Sequence, residues 1–454
     1  MNALEKRSVA TLASVYAMRM LGLFMVLPVF VLLADDLEGA TPALIGVAIG
    51  GYGLSQALLQ VPFGMLSDRF GRKRLIYIGL VLFALGSLLA GVSDSIYGVI
   101  AGRILQGAGA IASVLMALLS DLTREEERTK AMALVGVSIG LSFSVSLVLG
   151  PLIGNRFGLS GIFFFTAALA LIALILVHRA VPQPHLAASH SNSLPARAML
   201  GRVLTDGRLL RLDFGIFALH LVLTAMFLVV PSLLIDKVGL ASDSHWWLYL
   251  TVVVASFFAM VPFIILGEKK RQMKAVLCGA ITLLLLAIVG LAAASPTIVS
   301  IGFVLFLFFM AFNLLEASLP SLISKESNAS SKGTAMGVYS TSQFSGAFIG
   351  GALGGILLQS FGFNGVLAMM AVVLVLWLGV ALTMSKPSHA ASFVVQLKAA
   401  AGLSVGEVDQ GLRSLPGVED VVILEGEQTA YLKVDRQRFD KSRLEELAFV
   451  QPAA

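Results

Sequence analysis

The sequence predicts an all-α polytopic membrane protein, with twelve transmembrane helices in two six-helix halves and a small α+β domain after them. Three observations predict it. First, 57% of the 454 residues are hydrophobic and only 13% are charged, against roughly 25% charged in a soluble domain. Second, apolar runs of about 20 residues, the length that crosses a bilayer as a helix, recur along most of the chain. Third, charge returns near the C-terminus: residues 392–454 hold 17 charged side chains in 63 positions, against 42 in the preceding 391. This composition excludes a single soluble globule, a disordered chain and a disulfide scaffold. Cys278, the single cysteine, has no partner for an internal disulfide.

The apolar runs fall at about 10–34, 43–65, 75–92, 96–119, 131–153, 161–180, 211–235, 246–267, 275–294, 297–322, 334–358 and 364–384. Each must be a helix, because an open sheet edge would leave backbone groups unpaired in lipid. Met1 to Arg7 is short and the first run is long enough to span, so no cleavable leader is expected.

Basic residues orient the spans. Lys6, Arg7, Arg69, Arg72, Lys73, Arg74, Arg124, Arg128 and Lys130 lie at the N-terminus or in even-numbered loops, as do Lys269, Lys270, Arg271 and Lys274. The odd-numbered loops carry only Arg156 and Lys237. Both termini should therefore face the cytoplasm. The lipid bilayer is the first partner, and the basic charge marks topology with no sign of a nucleic-acid surface. Domain boundaries follow: residues 1–180 and 211–385 as the two halves, 181–210 as a polar linker with Pro182, Pro184 and Pro195, 386–391 as a second linker, and 392–454 as the tail.

The halves repeat. Phe24 to Pro28 matches Phe227 to Pro231, Pro62-Phe63 matches Pro262-Phe263, and Phe157-Gly158-x-x-Gly161 matches Phe361-Gly362-x-x-Gly365, at an offset of 200 to 204. Parallel repeats of this kind place a binding site near the midplane and give alternating access by rocking.

Between spans 2 and 3 lies Gly64-Met-Leu-Ser-Asp68-Arg69-Phe-Gly71-Arg72-Lys73-Arg74. Gly64 allows close helix approach, and Gly71 permits a tight turn. Asp68 is an anion at a membrane boundary, which a helix N-terminus can stabilise. Span 11 begins on the same side near Gly333 and Gly337, so Asp68 is expected to meet that N-terminus and lock the cytoplasmic gate. This motif closely resembles signature A of the major facilitator superfamily, and the twelve-span repeat resembles the drug:proton antiporters within it. The resemblance implies that Gly64, Asp68 and Arg72, with Arg69 beside them, form a conformational switch. The second copy, Gly267-Glu268-Lys269-Lys270-Arg271, is degenerate, so the first should dominate.

Two further motifs fit that resemblance. In span 4, Arg103-Ile-Leu-Gln106-Gly107-Ala-Gly109 is similar to signature B, whose arginine the family links to proton coupling. A charge there needs a partner, or else snorkels to the periplasmic interface. At the end of span 5, Leu149-Gly150-Pro151-Leu-Ile-Gly154-Asn155 resembles the antiporter signature C, although Ser146 and Asn155 replace glycines of that pattern. Glycine faces also serve plain helix packing.

Few titratable groups lie inside the spans. Glu316 in span 10 is the first candidate for the proton site and His220 in span 7 the second, with Arg19 in span 1 and Arg103 as accessory charges. A structural pair between Glu316 and Arg19, or another polar group, is the competing reading. Asp213 falls near the start of span 7. Tyr16, Phe24, Gln56, Gln60, Asn313 and Gln343 could line an amphipathic cavity for a small-molecule substrate. No cofactor is expected beyond the proton as coupling ion. No nucleophile–base pairing, metal cluster or GxxxxGK[ST] loop argues for an enzyme or an ATP-driven pump.

The tail reads as βαββα. Phe393 to Leu397 alternates as a strand, Ser404 to Leu415 is a helix stopped by Pro416-Gly417, and Val418 to Leu424 with Ala430 to Val434 form a hairpin around Glu425-Gly426-Glu427. Asp440 to Leu447 is a second helix, and Phe449-Val450 a short last strand. That order suggests a ferredoxin-like fold. Leu415 to Ile423 also resembles heavy-metal-associated domains, but the stretch Ala399 to Ser404 lacks their CxxC, so metal binding is not expected. The tail could contact the transporter core, another copy or a ligand. The expected function is proton-coupled export of a small amphipathic compound; the alternative is a membrane sensor that signals through the tail.

Overall fold

The structure, a computed structural model, describes residues 1–182, 196–327, 332–385, 390–398, 404–424, 429–435, 438–445, 447, 449 and 450. The expected boundary at Lys386-Pro387-Ser388, the hairpin tip Glu425-Gly426-Glu427 and part of the 181–210 linker lie outside these residues. The membrane part is all-helical. Helix α1 (Ala3–Phe24) opens on a capping box in which Asn2 and Glu5 satisfy each other's backbone N–H groups. Turns at Met25–Val29 then lead to the short α2 (Phe30–Leu33). The first expected span is thus broken, because Pro28 cannot donate the helical hydrogen bond.

Thr41 caps α3 (Pro42–Phe70) with proline in its first turn. Gly71, at φ 96°, turns the chain directly into α4 (Arg72–Gly91). The fourth expected span is two helices, α5 (Ile96–Ala108) and α6 (Ala112–Asp121), divided at Gly109, whose ψ of 54° is non-helical. Helix α7 (Glu125–Ala180) bends at Gly158, and the bend carries φ 66°.

After α8 (Ala196–Thr205), Asp206 caps α9 (Gly207–Asp236), and α10 (His245–Lys269), α11 (Met273–Ala293) and α12 (Ile298–Glu326) follow. Helix α13 (Lys332–Leu382) bends at Gly362 with φ 64°, so the Phe-Gly-x-x-Gly repeat makes the same kink twice. Among the described residues, nine helices are long and apolar enough to cross a membrane, and the two longest contain these kinks.

Helices α1–α7 pack mainly on one another, as do α9–α13; α3 against α13 and α7 against α10 join the two groups. Helix α13 packs on both of them. On one side Gly346 and Gly350 meet the α9 backbone at Phe217 and Leu221; on the other, Gly351 and Gly355 meet α3 at Gly46. The turn at Gly71, the N-terminus and the start of α13 share one end of the bundle, called here the basic end.

The tail forms a three-stranded antiparallel sheet of order β1-β3-β2: β1 (Ala390–Gln396), β2 (Val418–Leu424) and β3 (Thr429–Asp435). Leu432 sits opposite Phe393 on one side and Val421 on the other. Strand β1 starts two residues before the expected edge of the tail. Ser404 and Glu407 form a capping box at α14 (Val405–Arg413), and α15 (Lys441–Glu445) is shorter than expected. An isolated antiparallel bridge joins Leu397 to Val450. Leu412, Leu432, Val434 and Phe449 form this domain's core.

Candidate functional site

Two buried arginines occupy the interior of the α1–α7 group. Arg103, on α5, is 1% exposed, so it does not snorkel. Its Nε donates to Ala48 O and its Nη2 to Ile49 O, both at 3.3 Å, while Nη1 donates to Gln106 Oε1 at 2.9 Å. Gln106 in turn donates to Ser87 Oγ at 2.7 Å. Every nitrogen of this guanidinium has an acceptor, and the network ties α5 to α3 and α4.

Arg19, on α1, is 2% exposed. Only its Nη2 is engaged, donating to Tyr52 Oη at 2.7 Å and to Gln56 Oε1 at 2.5 Å; Nε and Nη1 have no hydrogen-bond partner. The Tyr52 ring lies under both guanidinium groups, 5.9 Å from Arg19 and 5.3 Å from Arg103. Gln56 donates onward to Gln60 Oε1 at 2.7 Å. Both glutamines are buried. Gln56 spends its amide on Arg19 and Gln60, and Gln60 accepts at Oε1.

The interior of the α9–α13 group is of a different kind. Gln343, on α13, places its amide nitrogen 2.8 Å from His220 Nε2 on α9 and donates to Glu316 Oε1 on α12 at 3.4 Å. Glu316 Oε2 is 3.9 Å from His220 Nε2, and a third of the Glu316 side chain is exposed. Glu316 therefore faces His220 and Gln343, and the pairing with Arg19 is not made. Asn313, one turn before Glu316, donates instead to Ser256 Oγ on α10 at 3.1 Å. An aromatic row connects the two groups: Phe24 and Phe143 are 5.1 Å apart, Phe143 and Phe312 5.7 Å, and Phe312 and His220 6.1 Å. Tyr16 lies within electrostatic reach of Arg19, Tyr52 and Glu316.

Helices α3 and α13 make a wedge. A Cβ on Gly50 would stand 2.7 Å from Phe348 O, and one on Gly53 would stand 2.6 Å from Phe344 O. The contact continues to Ala43 N, which donates to Gln359 Oε1 at 3.3 Å, and in the other direction to Thr341 and Ala57. Near the basic end it stops. A Cβ on Gly64 would meet only Ser113, and at Gly333 and Gly337 it would meet nothing within 4 Å.

Asp68 is 64% exposed and pairs with Arg72 one turn on. Among the described residues, no hydrogen bond or ion pair joins Asp68 to the start of α13. Arg72 also donates to Ser67 Oγ at 2.6 Å and to Asp121 Oδ2 at 3.2 Å. Arg69 stands over the ring of Phe70 at 5.5 Å.

Gly150 and Gly154 do not face the junction between the groups. Their Cβ positions would lie 3.0 Å from Pro28 Cγ and from Leu33 Cδ1, respectively. With Pro151 beside them they seat α7 on the broken segment after α1, which is packing within one group. Asn155 does reach the other group, accepting from Ser242 Oγ at 3.1 Å.

At the basic end, Arg124 donates to the buried carboxylate of Glu5 at 2.9 Å. That bond, then the backbone N–H groups of Asn2 and Arg124, hold the Glu5 carboxyl down to about 2. Sequence reasoning missed Asp121 and Tyr52, and it left Asp213 without a role. Asp121 was findable, since it lies 204 positions before Lys325 in the repeat. Asp213 is buried with neither carboxylate oxygen hydrogen-bonded, and the Tyr339 hydroxyl is unbonded as well.

Comparison with known proteins accords with this architecture. Residues 12–351 match the model of the Major Facilitator Superfamily. The chain is 45% identical over 443 residues to the inner membrane transport protein YajR of Escherichia coli (strain K12), covering 97% of both chains. It is 28% identical to multidrug resistance protein 2 of Bacillus subtilis (strain 168), over 74% of this chain and 85% of that one. The crystal structure of the human organic anion transporter MFSD10 (TETRAN) superposes with a TM-score of 0.63 at 17% identity, covering 84% of this chain and all of that one. That likeness is one of fold alone. The chain belongs to the Major Facilitator Superfamily: it is a multi-pass membrane transporter, and not an enzyme.

Proposed function

We propose that the protein is a proton-coupled secondary transporter that exports a small amphipathic compound by alternating access across a bacterial inner membrane. One observation carries the reading: Glu316, with His220 and Gln343 against it, lies within electrostatic reach of Tyr16 on α1, in the other helix group. Adding a proton to that cluster changes the charge held inside the bundle, and the membrane potential acts on each charge with about 2.3 kcal/mol per 100 mV. The inner-membrane relative and the multidrug relative support the location and the substrate type.

In this reading α1 with α2 is the first span and α5 with α6 the fourth. Helices α7 and α13 are two spans each, which gives twelve in two halves. The basic end is cytoplasmic, and so are both termini. The structure is then the inward-facing state, with α3 and α13 closed on the periplasmic side and parted at Asp68. In the outward-facing state Asp68 meets the N-terminus of α13. The tail is a ferredoxin-like domain, its fourth strand marked by the Leu397–Val450 bridge, that docks on the core, on another copy or on a ligand. Membership in a family of transporters disfavours the sensor reading.

The test uses purified protein in proteoliposomes with an internal pH dye and a panel of amphipathic compounds. Substrate-dependent proton movement that is lost in Glu316→Gln supports the reading. Transport of a panel compound with no proton movement, in vesicles that hold a gradient, rejects it.

A further inference from the structure

Two arginines are buried in one helix group, and only one of them is satisfied. Arg103 spends Nε, Nη1 and Nη2 on three acceptors and packs like a structural residue. Arg19 spends Nη2 alone. Its Nε and Nη1 are buried and unpartnered, and no carboxylate is paired with it among the described residues. An unpaired guanidinium inside a membrane is costly. The rings of Tyr52 and Phe83, each 5.9 Å away, offset part of that cost but accept no hydrogen bond from the two idle nitrogens. Glu316 is turned to His220 and Gln343.

We propose that Arg19 anchors the acidic head of the transported compound, so that the substrate is an amphipathic organic acid. Its Nε and Nη1 groups donate to a monoanionic head such as a carboxylate. The apolar body lies along the row Phe24, Phe143 and Phe312, which leads from the Arg19 side to His220. The side of the interior that takes the anion thus faces the side that takes the proton. Neutral and cationic compounds with the same body find no counter-charge at Arg19 and are discriminated against. The inference rests on the transporter reading but not on proton coupling.

The experiment is equilibrium binding to the purified full chain in detergent at fixed pH. The probes share one naphthyl body and differ in the head: carboxylate, carboxamide or trimethylammonium. The carboxylate is expected to bind at least tenfold tighter than the other two. Arg19→Gln should erase that preference, and Arg19→Lys, which keeps the charge, should retain part of it. Ligand-free Arg19→Gln should melt no lower than the parent, because removing a buried charge that has no counter-ion offsets the loss of its bonds to Tyr52 and Gln56.

Absence of carboxylate binding, equal binding of the three heads, or a preference unchanged in Arg19→Gln overturns the inference. So does a fall in melting temperature in Arg19→Gln together with loss of the preference in Arg19→Lys. Glu316→Gln separates the two readings. It should keep the carboxylate preference in detergent while losing proton movement in vesicles. Failure of proton movement with an intact Arg19-dependent preference therefore strikes the coupling alone.

Discussion

In the first half, Arg72 stands between two acids: it pairs with Asp68 one turn back and reaches Asp121 at 3.2 Å. In the second half, position 325, the repeat counterpart of Asp121, is lysine, and it binds Glu268 directly at 2.6 Å. The exchange leaves Asp68 exposed at the lip of the wedge and Glu268 tied to α12. In the proposed alternating-access cycle, Asp68 is thus the acid placed to exchange its local partner for a new one. The turns differ in the same sense. Gly71 takes φ 96° without strain, whereas Arg271 at the matching place is held at φ 55°.

A second latch is also repeated with its signs exchanged: Glu5 with Arg124 in one half, Arg208 with Glu326 at 3.7 Å in the other. The interiors differ most. One holds two guanidinium groups, the other a carboxylate, a histidine and the buried Asp213. The repetition of the backbone has been kept, while the charges differ: guanidinium groups in one interior, acids and a histidine in the other.

The largest expected effect is at the acidic interior. Glu316→Gln should abolish substrate-driven proton movement, whereas Glu268→Gln should leave most of it; equal losses would break the contrast between interior and rim. Next is the closed side of the wedge. Gly50→Leu drives a side chain into the Phe348 backbone, an overpacking cost of about 1–3 kcal/mol. It should stop transport, read in the same vesicle assay.

Asp68→Asn should then lower transport more than Glu268→Gln does, since removing an exposed ion pair costs only about 0–1 kcal/mol of stability. The Glu5 latch titrates with a defined sign. Its carboxyl is depressed from an ordinary 4.5 to about 2, so its stabilisation is complete above 4.5 and is lost as pH falls through about 2. Melting curves across that range should show a weaker decline in Glu5→Gln. Smallest is Arg271→Gly, which relieves a left-handed backbone and should raise stability by up to about 1 kcal/mol in a thermal melt.

Much of this was legible before the structure. The spans follow from hydropathy, and the two Phe-Gly-x-x-Gly copies foretell two identical kinks at Gly158 and Gly362. Glu316 and His220 stand out because charged and titratable groups are so scarce in lipid. Periodicity does not say which faces meet, however. Gln56 and Gln60 read as cavity lining, yet both are buried and bonded to each other, with Gln56 also bonded to Arg19. The breaks at Pro28 and Gly109 are hidden because apolar residues continue through them. The partner of Asp68 was hidden for another reason: the carboxylate pairs locally, with Arg72 one turn on, and spacing alone does not choose between a local and a distant partner.

The most direct measurement is a pair of spin-label distances in proteoliposomes, Arg69 to Gly333 at the basic end and Pro42 to Gln359 at the other. Substrate with a proton gradient should shorten the first and lengthen the second in the same population, and Asp68→Asn should remove the short component. Distances that stay fixed, or that change in the same direction, would contradict alternating access through this wedge.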